Sequence, residues 1–416
     1  MAQKTAVVRG ELPVTTVGET LDLTSSGLGT VSAAIIIVCG ANTGANPAAN
    51  DLMSIGFWDG TNQRSMSTIA IDAAGTSNTA KASRTTRGVL LSSTTAAIAE
   101  YSVSAITDGI RLTLDVDATT LSRYVTVLLI SGISSKLITF TPNATVDTAT
   151  ESASIGFAPK AILFTSIGDT NADVTAAVHS SLSFGIARQS DGMHRMVTAA
   201  SRDNLATTLV NKKFTDIRCV GEDSNDGSVW TGEITSWGSD TFTMTTRTAG
   251  SGGDVCFALV LGGDVDIDCG TLTTKTTTGT EAVTTIHRPA SVMVVSSSAT
   301  STTMETSTNA DGWCIGFSNG TNHYSHNTTD GDALGTSNSQ SEASATKLID
   351  LDLESAGFTA LVEASVDSFN ATNFTLNYTT ADATARKGWW LSFGAAATKL
   401  PAPVHINQSV MHASTY

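Results

Sequence analysis

The chain has 416 residues, enough for two to four domains, and only 15% of them are charged. The formal net charge is −15. A protein that binds phosphate backbones or anionic membranes needs clustered Lys and Arg, so this charge argues against nucleic-acid and membrane partners. Abundant Thr, Ser, Ala and Gly, without long Glu-, Lys- and Leu-rich runs, favour an all-β protein.

The first unit of the chain reads as a series of short strands and turns. Residues 1–9 are predicted to be a short lead, and the unit is predicted to start near Gly10. Ala34–Gly40 is a continuous apolar run, which predicts a buried strand. Ser54–Asn62 predicts a strand entering a hairpin, because Asp59-Gly60 suits a type I′ turn. Residues 72–86 are mostly small and polar, and predict a loop.

The second and third units repeat this order. The Ser54–Asn62 pattern returns at Ser183–Gly192 and Cys314–Asn322, so Gly56, Gly185 and Gly316 lie about 130 residues apart. Each unit later has an alternating strand and a closing strand that is apolar on both faces, which predicts a central strand covered on each side. The closing strands are Val125–Gly132, Cys256–Gly262 and Trp389–Gly394.

These landmarks predict three tandem antiparallel β-sandwiches of seven or eight strands each. The predicted divisions are residues 1–135, 136–263 and 264–396, followed by an extended tail over residues 397–416. The second unit is predicted to open with the edge strand Leu137–Thr141, matching Thr20–Leu23 of the first. Whether the three units form a pseudo-threefold cluster or a row is left open by the sequence.

Five cysteines are present, an odd number without a CxxC pair. Most lie in apolar strand sequence, so we expect reduced thiols in a protein made in a reducing cytoplasm. The amino terminus has no apolar signal region, and no apolar run reaches membrane-spanning length. The cysteines are Cys39, Cys219, Cys256, Cys269 and Cys314.

Candidate metal ligands are sparse. Asp264, Asp266 and Asp268 alternate along one strand, so their carboxylates share a face that calcium would suit; the alternative is a solvated face opposite a Val265 and Ile267 core face. The run from Asp223 to Gly227 resembles the start of a calcium loop but lacks the closing Glu. His323 and His326 should face opposite sides of a strand, which predicts surface histidines rather than a metal pair.

Catalytic signatures are missing: there is no GxSxG, P-loop or HExxH pattern. We therefore predict a non-enzymatic protein without a cofactor, calcium being the one candidate ion. For the tryptophans, core or interface packing is favoured over a sugar-stacking site. Trp58 lies beside the hairpin tip and, with Asp59, is a candidate exposed contact. A hydrolase site in the insertion at 222–227 is a third, less favoured hypothesis.

The order of elements resembles that of tailed-bacteriophage virion proteins. The resemblance rests on Gly156–Phe164, the Ser183–Gly192 strand and hairpin, and the Phe374–Gly394 strands. It implies a virion structural protein, either a capsid decoration (cement) protein or a tail, fibre or baseplate part. Its partners would be virion proteins such as the major capsid or tail proteins, with assembly as a homo-oligomer or on the particle. From its own residues, the tail is predicted to be either disordered or a docking arm that contacts a neighbour through apolar residues such as Val404 and Ile406. The alternative is a tail adhesin that binds a host receptor or glycan through its loops.

Overall fold

The computed structural model describes residues 2–42, 44–117, 122–223, 229–248, 253–302, 311–353 and 359–395. Every regular element within these ranges is a β-strand, so the all-β prediction is confirmed. The predicted contacts Val404 and Ile406, and most of the 222–227 insertion, lie outside the described residues.

The first unit supplies one large and one small sheet. The large sheet has the order β1-β11-β3-β5-β6-β7 and the small one β2-β10-β9-β8. The strands are β1 (Lys4–Glu11), β2 (Thr20–Thr24), β3 (Val31–Cys39), β4 (Ala48–Ala49), β5 (Asp51–Trp58), β6 (Gln63–Ala70), β7 (Thr79–Arg84), β8 (Val89–Ser92), β9 (Ala97–Ile106), β10 (Gly109–Asp117) and β11 (Tyr124–Ser131).

The second unit repeats the arrangement, with the orders β12-β22-β14-β16-β17-β18 and β13-β21-β20-β19. Proline opens β14, where its missing N–H costs no ladder bond. The strands are β12 (Ser134–Phe140), β13 (Ala149–Glu151), β14 (Pro159–Ser166), β15 (Val174–Val178), β16 (Ser180–Arg188), β17 (Met193–Ser201), β18 (Val210–Thr215), β19 (Val220–Asp223), β20 (Val229–Trp237), β21 (Phe242–Thr248) and β22 (Cys256–Gly262).

The third unit has the same two orders again, β23-β32-β25-β26-β27-β28 and β24-β31-β30-β29. All pairings are antiparallel. The strands are β23 (Ile267–Thr273), β24 (Gly279–Thr284), β25 (Pro289–Ser297), β26 (Asp311–Ser318), β27 (His323–Asp330), β28 (Ser339–Ser344), β29 (Ile349–Leu353), β30 (Thr359–Asn370), β31 (Asn373–Thr380) and β32 (Lys387–Gly394).

The first strand corrects the predicted start of the chain. Residues 4–11 are not a lead but β1, which pairs along its length with β11. The second unit likewise begins at Ser134 rather than Lys136, and β12 pairs with the closing strand β22 as β1 does with β11. Leu137 therefore corresponds to Val7 of β1 and not to the small-sheet strand β2. The short Ala6-Val7-Val8 run was too brief to reveal a strand by periodicity.

Within each unit the two sheets pack face to face in a sandwich-like pair. In the first unit, Ile36 and Val38 of β3 meet Leu112 and Leu114 of β10 in one buried cluster. The second and third units have equivalent clusters around Phe242 and Phe374. Burial alternates along β31, so the predicted period-two pattern is confirmed there.

The other face of the three large sheets forms a single core shared by all units, which we call the shared core. Ile35 and Ile37 lie in it, one residue out of phase with Ile36 and Val38. Phe184 joins the units, with ring centroids 6.0 Å from Phe57 and 5.3 Å from Trp389. The large-sheet strands are apolar on both faces because each face belongs to a different core.

Two short strands cross between units. β15, from the second unit, pairs with β7 of the first, and β4, from the first unit, pairs with β28 of the third. Together with the shared core, these exchanges close the three units into a cluster rather than a row. The pseudo-threefold arrangement left open by the sequence is the one adopted.

The recurrent hairpins are present, but their turns differ from the prediction. Asp59 N–H donates to the Asn62 carbonyl at 3.1 Å, which makes Gly60 and Thr61 the central residues. Only Gly60 has a positive φ, 93°. A type I′ turn needs a positive φ at both central residues, so the type I′ prediction is wrong for this hairpin.

The repeated glycine of the hairpin strand has a packing role. A Cβ at Gly56 would lie 1.8 Å from the carbonyl oxygen of Gly88, at the start of the small sheet. Gly316 would meet the Leu348 oxygen at the same distance, and Gly185 the Cys219 oxygen at 2.2 Å. Each glycine thus allows the small sheet to touch the large one at an equivalent point.

All five cysteines are buried and carry free thiols. Apolar strand sequence predicts this burial for Cys39, Cys256 and Cys314. Burial raises the pKa of Cys39 and of Cys269 to about 12, so these thiols are protonated and poorly reactive at neutral pH.

Candidate interaction surface

Three loops, one from each unit, meet at one end of the cluster; we call residues 71–78, 202–209 and 331–338 the cap loops. Backbone hydrogen bonds between the loops join them in a closed ring. Ser77 N–H donates to the Leu205 carbonyl, Thr208 N–H to the Leu334 carbonyl, and Ala73 N–H to the Ser337 carbonyl, each at 2.8–2.9 Å. Each loop therefore contacts both of the others.

An aspartate in each cap loop fixes the neighbouring unit. Its carboxylate accepts a hydrogen bond from the first backbone amide of β7, β18 or β28, the last large-sheet strand of the neighbouring unit. Without the carboxylate this amide would lack a partner. The bonds are Thr79 N–H to Asp203 at 2.9 Å, Val210 N–H to Asp332 at 2.9 Å, and Ser339 N–H to Asp72 at 3.0 Å.

A hydroxyl in each cap loop repeats this linkage. The side-chain oxygen of Ser77 accepts the Leu205 amide, that of Thr208 the Leu334 amide, and that of Ser337 the Ala74 amide, all at 2.9 Å. The same chemistry recurs three times around the ring, which is the signature of pseudo-threefold symmetry.

The fully exposed positions of the ring carry no charged side chain, whereas Arg202 and the aspartate of each loop are partly exposed. In every cap loop the same three positions are exposed, while the hydroxyl residue is buried and the aspartate carboxylate is bonded inward. The residue after each aspartate adopts a left-handed φ, 56° at Ala73, 59° at Asn204 and 57° at Ala333. The repeated exposed positions are Ala73, Gly75, Thr76, Asn204, Ala206, Thr207, Ala333, Gly335 and Thr336; Asn78 of the first loop is exposed as well.

We expect Asp203→Ala to lower the free energy of unfolding by about 1–2 kcal/mol, because the Thr79 amide loses a charged acceptor. Asp203→Asn keeps an oxygen at that point and should cost less than half as much. Urea denaturation and hydrogen exchange at the Thr79 amide measure both effects. Equal losses in the two variants, with unchanged exchange at Thr79, would contradict this role.

Charged side chains from all three units lie close together beneath the cap loops. Asp51, Lys212 and Asp330 come from the first, second and third units, and Ser339 donates to Asp330 at 2.7 Å. Burial raises the pKa of Asp330 to about 6, and burial together with Asp330 raises the pKa of Asp51 to about 7. Lys212 opposes both shifts and also lies 5.9 Å from the Trp313 ring centroid. The ammonium therefore ties the second unit to the other two.

The two hairpin residues predicted to be exposed contacts lie at the other end and are used within the chain. Trp58 is 1% exposed and packs in the core of the first unit, so the exposed-contact prediction for it is wrong. Asp59 accepts the Leu137 amide of the second unit at 2.7 Å. Both residues hold the chain together rather than presenting a surface.

The three aspartates near residue 266 do not converge. Asp268 is 4% exposed and pairs with Arg188, whereas Asp266 bonds the His287 ring at 2.9 Å and Asp264 is exposed. Val265 and Ile267 are buried, as the solvated-face alternative required. Among the described residues, no group of three His, Cys, Asp or Glu side chains is arranged to hold a metal ion.

His326 and His194 have structural roles. His326 is fully buried between units, within 3.2 Å of the Cys39 sulfur and 2.8 Å of the Thr126 hydroxyl, so the surface prediction for it is wrong. Its burial lowers its pKa to about 3, which keeps the ring neutral. His194 accepts the Ile234 amide at 3.1 Å, and Gln63, at the equivalent position of the first unit, accepts the Val103 amide at 2.5 Å. His194 borders a 360 Å³ depression, but this equivalence identifies it as a link between sheets.

The third unit buries a cluster of carboxylates beside Lys347. Asp350 and Asp352 are 1% and 2% exposed, and Asn327 donates to Asp352 at 2.8 Å. Burial, with Glu342 nearby, raises the pKa of Asp350 to about 6 and that of Asp352 to about 8. In the other units an arginine takes the place of Lys347 and forms ion pairs: Arg87 with Glu100 and Asp115, and Arg218 with Glu233.

These raised pKa values predict that stability falls as the pH rises. A carboxyl that holds its proton more tightly when folded contributes stability below its unfolded pKa of about 4, and this is lost up to the folded pKa near 8. We expect Asp352→Asn to recover on the order of 2 kcal/mol at pH 8 relative to pH 5. Denaturation at several pH values measures it.

Asp108 is the control for this prediction, since the amides of Gly29 and Gly27 lower its pKa. It is ionised in both states above pH 5, so Asp108→Asn should change stability by the same amount at pH 5 and pH 8. If the effect of Asp352→Asn on stability does not change with pH, Asp352 is not the source of the predicted pH dependence.

The ring was missed from the sequence although a signal was present. Asp72-Ala73 followed by Gly75-Thr76-Ser77 recurs as Asp332-Ala333 followed by Gly335-Thr336-Ser337. The same segment of the second unit keeps only Asp203 and Thr207-Thr208. Comparing the loops as well as the strands of the repeat would have indicated a shared role.

No protein-family model and no curated protein sequence matches this chain. Within the described residues, no helix is long and apolar enough to cross a membrane.

Proposed function

We propose that the chain is a non-enzymatic structural protein of a tailed-phage particle, a capsid decoration or cement protein acting through protein–protein contacts. The observation that carries the proposal is the closed ring of cap loops. It gives one polypeptide the pseudo-threefold symmetry that separate subunits otherwise provide.

The surface chemistry of the ring supports this role. In a protein of net charge −15, the ten fully exposed positions of the cap loops carry no charged side chain, and the aspartates of the loops are only partly exposed. The cap loops are held by hydrogen bonds to their neighbours, so little conformational entropy is lost when a partner covers them. Three equivalent contacts made together multiply weak affinities, which suits a partner with identical subunits around a threefold position.

Locating the chain on purified particles tests the proposal. A cryo-EM difference map between particles with and without the chain should show density on the head, over threefold positions. Absence of the chain from particles would overturn the virion role, and density at the tail tip would overturn the decoration role.

Introducing negative charge into the cap loops tests whether they form the contact with the particle. The triple variant Thr76→Glu, Thr207→Glu, Thr336→Glu should reduce binding to stripped particles by at least tenfold. The matched control, Thr61→Glu, Ser190→Glu, Thr321→Glu, adds the same charge to exposed hairpin tips at the other end and should bind normally. Loss of binding in the control alone would place the contact at the hairpin end.

A second candidate is a tail adhesin that binds a host receptor or glycan. The connections between β3 and β4, residues 40–47, and between β14 and β15, residues 167–173, favour it, since surface loops often carry binding residues. An adhesin should bind host cells or glycans as isolated protein, whereas a decoration protein should bind only assembled shells.

A further inference from the structure

The three junctions between units are not closed in the same way. The first and second units are joined through Gly132, and the second and third through Gly263, with φ values of 76° and 74°. Beyond each glycine an apolar residue reaches the shared core: Ile133 packs against it and Val265 is 7% exposed within it. The third junction, between the third and first units, has no covalent link.

Gln3 occupies the third junction. It is 4% exposed, accepts the Asp266 amide at 2.7 Å, and donates to the Asp266 and Gly394 carbonyls at 3.2 and 3.3 Å. Lys4 and Ser134 occupy equivalent positions, because each pairs with the last residue of its unit's closing strand. Gln3, one residue earlier, therefore corresponds to Ile133 of the second unit. A polar side chain therefore stands at the third junction where the other two junctions have the apolar residues Ile133 and Val265.

A groove of about 260 Å³ lies beside this residue; we call it the junction groove. Ala395, the last described residue of the third unit, forms part of its wall, so the chain leaves the cluster at the groove itself. The hydroxyl of Thr5, another wall residue, is buried without a hydrogen-bond partner. The lining residues are Gln3, Lys4, Thr5, Ser25, Ser26, Gly27, Leu28, Ala290 and Ala395.

We propose that the chain's own segment 396–404 occupies the junction groove, with Leu400 as its apolar anchor. Leu400 follows Ala395 by five residues, a reach of at most about 17 Å, so it can turn back into a groove that begins at Ala395. The short tether gives this segment a high effective concentration at its own groove.

The composition of the segment suits the site. Pro401 and Pro403 have no backbone N–H, so fewer donors lose water when the segment is covered. The tail then closes the third junction as the covalent links close the other two, and it lies against the chain's own body rather than serving as a free arm.

Hydrogen exchange on the full-length protein tests the proposal. Leu400→Asp should speed exchange of the amides at Lys4–Thr5 and Ser25–Leu28 by at least tenfold, because the covering segment is expelled. The matched control Met411→Asp introduces the same charge beyond the proposed segment and should leave these amides unchanged. Unchanged exchange in Leu400→Asp, or equal effects of both variants, would overturn the proposal.

A disulfide trap identifies which molecule supplies the segment. In the variant Ser26→Cys, Leu400→Cys, mild oxidation should give a cross-linked monomer, since the five native thiols are buried. A cross-linked dimer would show that a neighbouring copy fills the groove, and no cross-link would show that the segment does not reach it; either result overturns the assignment. The test needs no particles, so it is independent of the proposed virion role.

Discussion

Replacing Gly56 or Gly316 with alanine is expected to destabilise the protein by about 3 kcal/mol or more, a large effect for one methyl group. The new Cβ would lie 1.8 Å from the backbone oxygen of Gly88 or Leu348. Backbone cannot move aside as the end of a side chain can, so the small sheet must separate from the large one or its leading strand must shift. Urea denaturation of the purified variants measures the loss.

Two other glycines of the same chain are the controls. Gly75 and Gly335 lie in the cap loops, where an added Cβ meets nothing within 4 Å and φ is not in the left-handed region. Gly75→Ala and Gly335→Ala should therefore change stability by no more than about 0.5 kcal/mol. Similar losses at all four positions would show that close approach of the sheets is not why the motif glycine recurs.

The strands could be predicted from the sequence because their signal is local. Two-sided apolar runs identified β11, β22 and β32, and the repeated glycine motif identified β5, β16 and β26 with their hairpins. The role of that glycine could not be predicted, since it depends on a carbonyl about 30 residues away in another sheet. Its recurrence was visible, whereas the contact that requires it was not.

The contacts between units left little trace in the sequence. Gln3 looks like a residue of a polar lead, and His326 like a strand residue on the surface, yet both are buried where units meet. Trp58 was read as a hairpin-tip residue although its side chain turns into the core. In each case burial is decided by a neighbouring unit or sheet, and period-two alternation says only which residues share a face.

The shared core explains why three similar units behave as one body. Strand residues of odd and even position in the same large sheet belong to different cores, one within the unit and one common to all. Removing a shared-core side chain should therefore weaken neighbouring units as well as its own. We expect a single cooperative unfolding transition for the whole cluster.

Two adjacent tryptophans test this directly. Trp389 lies in the shared core, where its indole donates to the Phe184 carbonyl of the second unit at 3.3 Å. Trp390 points the other way, into the core of the third unit, against Phe374. Trp389→Ala and Trp390→Ala should each cost about 4 kcal/mol, because each removes a large buried side chain.

The two variants should differ in where the structure loosens. Trp389→Ala is expected to speed hydrogen exchange in β16 and β17 of the second unit, whereas Trp390→Ala should affect only β30 and β31 of the third. If Trp389→Ala leaves the second unit as protected as before, the units are coupled by their linkers, exchanged strands and cap loops rather than through the shared core. If both variants speed exchange equally in all three units, the exchange reports global unfolding. The comparison is then made under conditions that keep both variants fully folded. There, only Trp389→Ala should still speed exchange in β16.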